Sequence, residues 1–177
     1  MRVRRTFETN VFANLELTQQ VIRKFIDRNI AGRVIIVSSM GGMLTAYGLG
    51  VYCASKHALE AIAASLRDEL APYGITVQTI NPGPYDTGFN DRIADTTYRW
   101  HDDAVNFTRE PDIKASFAEI MEGQFDPEEM IDKMVAIISA DDGNYRNVWP
   151  PSIEELIKQV QESAWTRPVQ RSASADG

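Results

Sequence analysis

The chain has 177 residues, 44% hydrophobic and 24% charged, the balance of a soluble globular protein with a real core. Its 25 acidic against 18 basic residues leave a formal charge of -7, which repels polyanions at long range and argues against nucleic acid or an anionic membrane as partner. The single cysteine, Cys53, cannot close an intramolecular disulfide, and no apolar run approaches the ~18 residues of a membrane span, so a cytoplasmic protein is expected.

Taken in chain order, Val3, Phe7, Val11, Leu15, Ile22 and Ile26 fall mostly at steps of three, four or seven and predict one amphipathic helix over 2–28. Arg2, Arg4 and Arg5 at its start have the look of a targeting stub, but Glu8 and Glu16 follow, and the apolar spacing is that of a structural helix. Arg33 to Ser38 (RVIIVS) is a short β-branched run, predicting a parallel strand covered on both faces, and a glycine-rich loop follows it. Ala54, Ala58, Ile62, Leu66 and Leu70 predict a helix over 51–71, stopped by Pro72 and Gly74, and ITVQTI predicts a second strand over 75–80.

Beyond Asn81 the pattern loosens. Residues 84–110 mix turn formers with Phe89, Tyr98, Trp100 and Phe107, and helices are expected near 112–122 and 127–140. The aromatic and methionine residues between 85 and 134 suit either a core or the wall of a substrate pocket. A last strand is expected over 145–148 and a helix over 152–163. This alternation of helices and strands implies parallel strands with right-handed crossovers, a three-layer α/β sandwich. One partial catalytic domain over 1–165 is expected, with 166–177 a disordered tail.

In an open parallel sheet, ligands sit beyond the carboxyl ends of the strands, which directs attention to the residues after 38 and after 80. Ser39, Gly41 and Gly42 follow the first strand, and Tyr52 and Lys56 stand one helical turn apart at the start of the next helix. A tyrosine, with its reference pKa near ~10, is a poor acid or base at neutrality unless a fixed cation favours its phenolate, and Lys56 is placed to be that cation. Each residue also has a plain reading: Asn10 a polar helix residue, Ser39 a turn residue, Thr87 a helix cap, and Tyr52 with Lys56 a surface pair.

The segments VSSMGG, YCASKHALEA and NPGPYDTG, in this order and spacing, closely resemble those of the short-chain dehydrogenase/reductases, and ETNVFANLELTQ resembles the family's helix segment that carries a catalytic asparagine. The resemblance implies a doubly wound, Rossmann-like sheet. It implies Asn10, Ser39, Tyr52 and Lys56 as a catalytic tetrad, with Tyr52, Lys56, Pro82, Gly83 and Thr87 toward the nicotinamide end of NAD or NADP, and a small alcohol or carbonyl substrate. Lys56 would lower the tyrosine pKa and hold the cofactor ribose. Asn10 would hold a water linking Lys56 to solvent, and Thr87 would bond the cofactor's phosphate or carboxamide region. The family's subunit interface matches helices 2–28 and 51–71, implying a homo-oligomer.

Two departures stand out: Ala13-Asn14 where the family has a glycine, and Tyr85 where it has a small β-branched residue, the latter expected to crowd the nicotinamide pocket. The glycines form neither G-x-G-x-x-G nor the family's Thr-Gly-x-x-x-Gly-x-Gly turn, so the amino-terminal half of the sheet and its pyrophosphate site are expected to be missing. Consistent with that, the first helix lacks a capping residue and places arginines at its positive dipole end, and Val34 to Val37 would form an open apolar edge. A catalytically silent remnant that acts through its interface therefore stands as the alternative to an oxidoreductase. Ser39 lacks the G-x-S-x-G context of a serine hydrolase. His57 and His101 have no metal-ligand spacing and Cys53 is expected to be a buried small apolar residue, leaving no metal site in view.

Overall fold

A computed structural model describes residues 2–169. Helix α1 (Arg2–Phe7) runs through a π-helical stretch (Glu8–Phe12) into α2 (Ala13–Asp27), so the helix expected over 2–28 contains a widened turn centred on Asn10. The Asn14 side chain donates to the carbonyls of Thr9 and Asn10, both at 3.0 Å, taking up acceptors at the wide turn. Asn14, one of the two departures from the family pattern, thus has a local structural use. Asn29, in the left-handed region at φ 52°, turns the chain toward the sheet.

Three parallel strands follow in spatial order: β1 (Arg33–Val37), β2 (Thr76–Pro82) and β3 (Arg146–Trp149), with Val34 opposite Val77 and Thr79 opposite Arg146. Side chains alternate across the sheet. Val34, Ile36 and Val77 pack with Ile22 and Phe25 of α2 and with Ala63, Leu66 and Leu70 of α3 (Gly50–Leu70). On the opposite face Ile35 and Ile80 pack with Met130, Met134 and Ile137 of α6 (Pro127–Ser139). Helices on both faces of a parallel sheet make the expected three layers, and each fully buried aliphatic side chain contributes about 1.5–3 kcal/mol to holding them together.

One expectation for β1 fails. It is half-buried rather than covered on both faces, and Val37 is 50% exposed. Among the described residues β1 pairs with β2 alone, so its outer edge is unpaired, as expected for Val34 to Val37, while only its last side chain, Val37, is exposed. Arg33 crosses the sheet end to donate to the carbonyls of Ile138 and Ala140, tying the start of β1 to the end of α6.

The region 84–110 is also more regular than its turn formers suggest. Helix α4 (Phe89–Trp100) starts after Gly88 in the left-handed conformation at φ 69°. Its Ile93, Ala94 and Tyr98 pack on Ile113 and Phe117 of α5 (Glu110–Glu122), with the Tyr98 and Phe117 rings edge-on at 5.8 Å. Pro111 and Pro127 fall in the first turns of α5 and α6, where a missing N–H costs nothing, and the Asp126 side chain caps α6 by accepting from the Glu128 N–H at 3.0 Å. After β3, α7 (Pro151–Ala164) lays Ile153 and Ile157 against Met43 and Val148. Residues 166–169 carry no regular element, and the remainder of the expected tail, 170–177, lies outside the described residues.

Candidate active site

The carboxyl end of β1 delivers Ser39. The chain leaves the strand with the Ser38 N–H donating to the Ile80 carbonyl at 2.8 Å and then winds into a single 3-10 turn, Met40–Gly42. The Ser39 hydroxyl accepts from the Gly41 N–H at 3.0 Å. The N–H groups of Gly42, Met43 and Leu44 also bond within the turn, each at 2.9 Å. The glycines are needed for close approach. A Cβ on Gly41 would stand 3.1 Å from the Tyr52 ring, and one on Gly42 would stand 2.8 Å from the Ser38 hydroxyl and 2.9 Å from the Glu60 side chain.

Tyr52 and Lys56 enter from the first turns of α3. The Lys56 ammonium donates to the Val37 carbonyl at 3.2 Å and lies 6.0 Å from the centre of the Tyr52 ring. Burial pushes the Tyr52 phenol above its ordinary pKa, more than the hydrogen bond with Ser39 pulls it down. The lowering expected from Lys56 is therefore not the net effect here, because burial dominates. Burial lowers the pKa of Lys56, opposed by the nearby Glu60 carboxylate.

Asn10 reaches the cluster indirectly. Its side-chain amide donates to the Ser55 hydroxyl at 3.0 Å, which donates to the Tyr52 carbonyl at 2.7 Å, so the wide turn of the first helix is tied to the backbone beneath the tyrosine. Asn10 and Lys56 also line a common cavity of about 330 Å³ between that helix and β1.

The second strand delivers Pro82 and Gly83. The Gly83 N–H donates to the Trp149 carbonyl at 2.8 Å, and a Cβ there would meet Ile153 at 2.9 Å. Pro82, Gly83 and the exposed Thr87 line a cavity of about 640 Å³ together with Ser39, Tyr52 and Lys56. All the sequence-predicted site residues except Asn10 thus open on one space. The Phe89 ring stands 5.9 Å from that of Tyr52 on one wall. Tyr85 belongs to the wall as well, but its ring is buried against Phe125 and Met130. Its hydroxyl has no hydrogen-bond partner among the described residues, and burial pushes its pKa up to about 12.

Four residues that sequence reasoning passed over brace this site. Asn81, fully buried, donates to the Glu60 carboxylate at 2.5 Å and to the Ser39 carbonyl at 3.4 Å, and accepts from the Thr79 hydroxyl at 2.9 Å. Arg146 donates to the second Glu60 oxygen at 3.2 Å. The signal was present: Glu60 lies one turn beyond Lys56 on the same helix face, and Asn81 opens the NPGP segment. The histidines do local work, His57 donating to the Cys53 carbonyl at 2.9 Å and His101 bonding Asp103 at 2.7 Å. Cys53 is buried, and burial raises its thiol pKa.

An open parallel sheet flanked by helices, with a serine, a tyrosine and a lysine gathered at the strand carboxyl ends, is the architecture of a doubly wound α/β protein with its ligand site at the usual edge. The family model for short chain dehydrogenases matches residues 1–97, and the chain belongs to that family. It is 43% identical over 84 residues to an uncharacterized oxidoreductase, YusZ, of Bacillus subtilis (strain 168), an alignment spanning 48% of this chain and 30% of that protein. It is 44% identical over 88 residues to the NADPH-dependent 3-dehydrocapnine reductase of Ornithobacterium rhinotracheale, spanning 48% and 31%. The fold matches a short-chain dehydrogenase from Streptomyces avermitilis with a TM-score of 0.69 at 24% identity, covering 93% of this chain and 58% of that one. It also matches one from Burkholderia phymatum in complex with NAD, with a TM-score of 0.60 at 18% identity, covering 95% and 60%. The chain thus spans about a third of the length of these curated relatives in alignment, and somewhat under two thirds of the solved chains in fold. Among the described residues no helix is long and apolar enough to cross a membrane.

Proposed function

We propose that this chain carries the reaction centre for interconverting an alcohol and a carbonyl compound with NAD or NADP, Tyr52 acting as general acid and base. The observation that supports this most is the convergence of Ser39, Tyr52, Lys56 and Thr87 on one cavity beyond the carboxyl ends of β1 and β2. The residues fit the nicotinamide–ribose end of the dinucleotide. Lys56 donates one hydrogen bond to Val37 and has two further N–H donors for ribose hydroxyls, and Pro82, Gly83 and Thr87 border the same space. They do not fit the pyrophosphate at β1, because the N–H groups of residues 41–44 are all engaged within their own turn.

When bound, the dinucleotide supplies or accepts the hydride. In the reductive direction Tyr52 donates its phenolic proton to the carbonyl oxygen, and Ser39 donates a hydrogen bond to the same oxygen as negative charge develops there. Lys56, its ammonium 6.0 Å from the centre of the Tyr52 ring, stabilises that phenolate until a proton returns. Asn10, through Ser55, fixes the backbone from which Tyr52 projects. In the oxidative direction the same groups run in reverse, Tyr52 taking the hydroxyl proton.

The second reading, an interaction role without catalysis, is favoured by the exposure of Phe12, Leu17 and Val21 along the first helix, which leaves apolar surface suited to a second copy of the chain. Carbonyl-dependent oxidation of NADH and NADPH, followed by absorbance, separates the two. Turnover that falls by about 10²–10⁴ in Tyr52→Phe supports the redox reading. No turnover with either cofactor at millimolar concentration, alongside a concentration-dependent dimer in sedimentation, supports the silent one.

A further inference from the structure

We infer that the larger cavity selects an uncharged, elongated apolar ketone or secondary alcohol, its oxygen at the Ser39–Tyr52 end and its hydrocarbon tail between α4, α6 and α7. The assignment rests on the redox reading for the place of the oxygen, and on the cavity alone for the tail. The space is about 640 Å³, of which the end bordered by Lys56, Pro82, Gly83 and Thr87 is the part assigned to the nicotinamide and ribose. Most of its polar side chains, Ser38, Ser39, Tyr52, Lys56 and Thr87, lie about the strand ends, with the uncharged Thr45 and Asn90 beyond them. Away from them the wall is made by Leu44, Phe89, Met130, Met134, Leu156 and Val160, drawn from the Ser39 loop and three helices.

Lys56 is the one charged residue lining the cavity among the described residues, and it sits at the reacting end, bonded to Val37. A carboxylate or phosphate at the far end of a substrate would lose its hydration there and meet no counter-charge. The two methionines provide unbranched, polarisable side chains that adjust to a chain of varying shape. The rim supplies a second observation. Ile131 and Leu156 line the cavity yet are 48% and 41% exposed, large aliphatic side chains held at its solvent-facing mouth. An apolar ligand passing between them removes that surface from water.

The test is a calorimetric titration of the 177-residue chain, without cofactor, against straight-chain methyl ketones of six to ten carbons. An oxo acid of equal length, with its carboxylate at the far end, is titrated beside them. Affinity is expected to rise about fourfold per added methylene, and the oxo acid to bind at least tenfold more weakly than the ketone of its length. Leu156→Asp, at the rim, is expected to flatten the chain-length dependence. Val135→Asp, on α6 outside the cavity and 58% exposed, is expected to leave it intact. Ile131→Asp serves in place of Leu156→Asp if circular dichroism shows the latter unfolded. Affinity independent of chain length, an oxo acid that binds as tightly as the ketone, or equal loss in Val135→Asp overturns the inference. A chain-length series that holds while Tyr52-dependent turnover is absent supports the apolar tail site and counts against the redox reading alone.

Discussion

Replacing Glu60 by alanine tests whether the buried network beneath Ser39 holds the strand end in place. The carboxylate accepts from Asn81 at 2.5 Å and from Arg146 at 3.2 Å. A hydrogen bond to a charged acceptor contributes about 1.5–3 kcal/mol, and its loss leaves the amide nitrogen of Asn81, at zero exposure, with only the long 3.4 Å contact to the Ser39 carbonyl. The pair with Arg146, whose side chain is 42% exposed, adds about 0.5 kcal/mol at most. Together these give a loss of about 3 kcal/mol, or a drop of about 6–12 °C in Tm for a chain of this size. Glu60→Gln keeps the shape and an acceptor for Asn81 but not the charge, and should lose about 1 kcal/mol. Urea unfolding followed by circular dichroism measures both, and a cycle with Asn81→Ala should return a coupling of about 1–2 kcal/mol. A Glu60→Ala chain within 0.5 kcal/mol of the parent would refute the assigned role of the network.

Tyr85→Phe removes a buried hydroxyl that has no hydrogen-bond partner among the described residues, and is expected to stabilise the chain by about 1 kcal/mol near neutrality in urea unfolding. Its pH dependence has a defined sign. With a folded pKa of about 12 against 10.0 when unfolded, the parent's contribution from neutral Tyr85 is fully present below pH 10 and is lost as the pH climbs through 12, so the variant should lose less stability over that window. Gly42→Ala places a Cβ 2.8 Å from the Ser38 hydroxyl and 3.1 Å from the Lys56 carbonyl, and is expected to cost about 1–3 kcal/mol in thermal unfolding. Combining it with Glu60→Ala, which clears the contact at 2.9 Å, should cost less than the sum of the two.

The layering of the fold was legible because periodicity registers which face of an element is apolar, and the elements around β1, α3, β2 and α6 have single, clear faces. α4 was obscured because its buried face is made by Ala94, Thr97 and Tyr98 amid Asn, Asp and Thr, residue types that equally compose loops. The half-exposure of β1 did not show in its own residues, since RVIIV reads as a covered strand; it was signalled only by the absent glycine turn, which left Val34 to Val37 expected as an open edge. At the site, Ser39, Tyr52 and Lys56 were picked out by segments that resemble the family's, since their spacing alone equally suits a surface pair, whereas Glu60 and Asn81 met only when α3 was laid across β2. The direction of the Tyr52 shift depended on burial, which spacing does not encode.

The central claim is that Tyr52 serves hydride transfer at this cavity. It is tested most directly by incubating the chain with NADH or NADPH deuterated at the transferring position and a medium-chain methyl ketone, then reading the product alcohol by mass spectrometry, which detects slow turnover. Deuterium is expected on the carbinol carbon with the parent chain and is expected to be lost in Tyr52→Phe. Unlabelled alcohol, no alcohol at all, or labelling undiminished in Tyr52→Phe would contradict it.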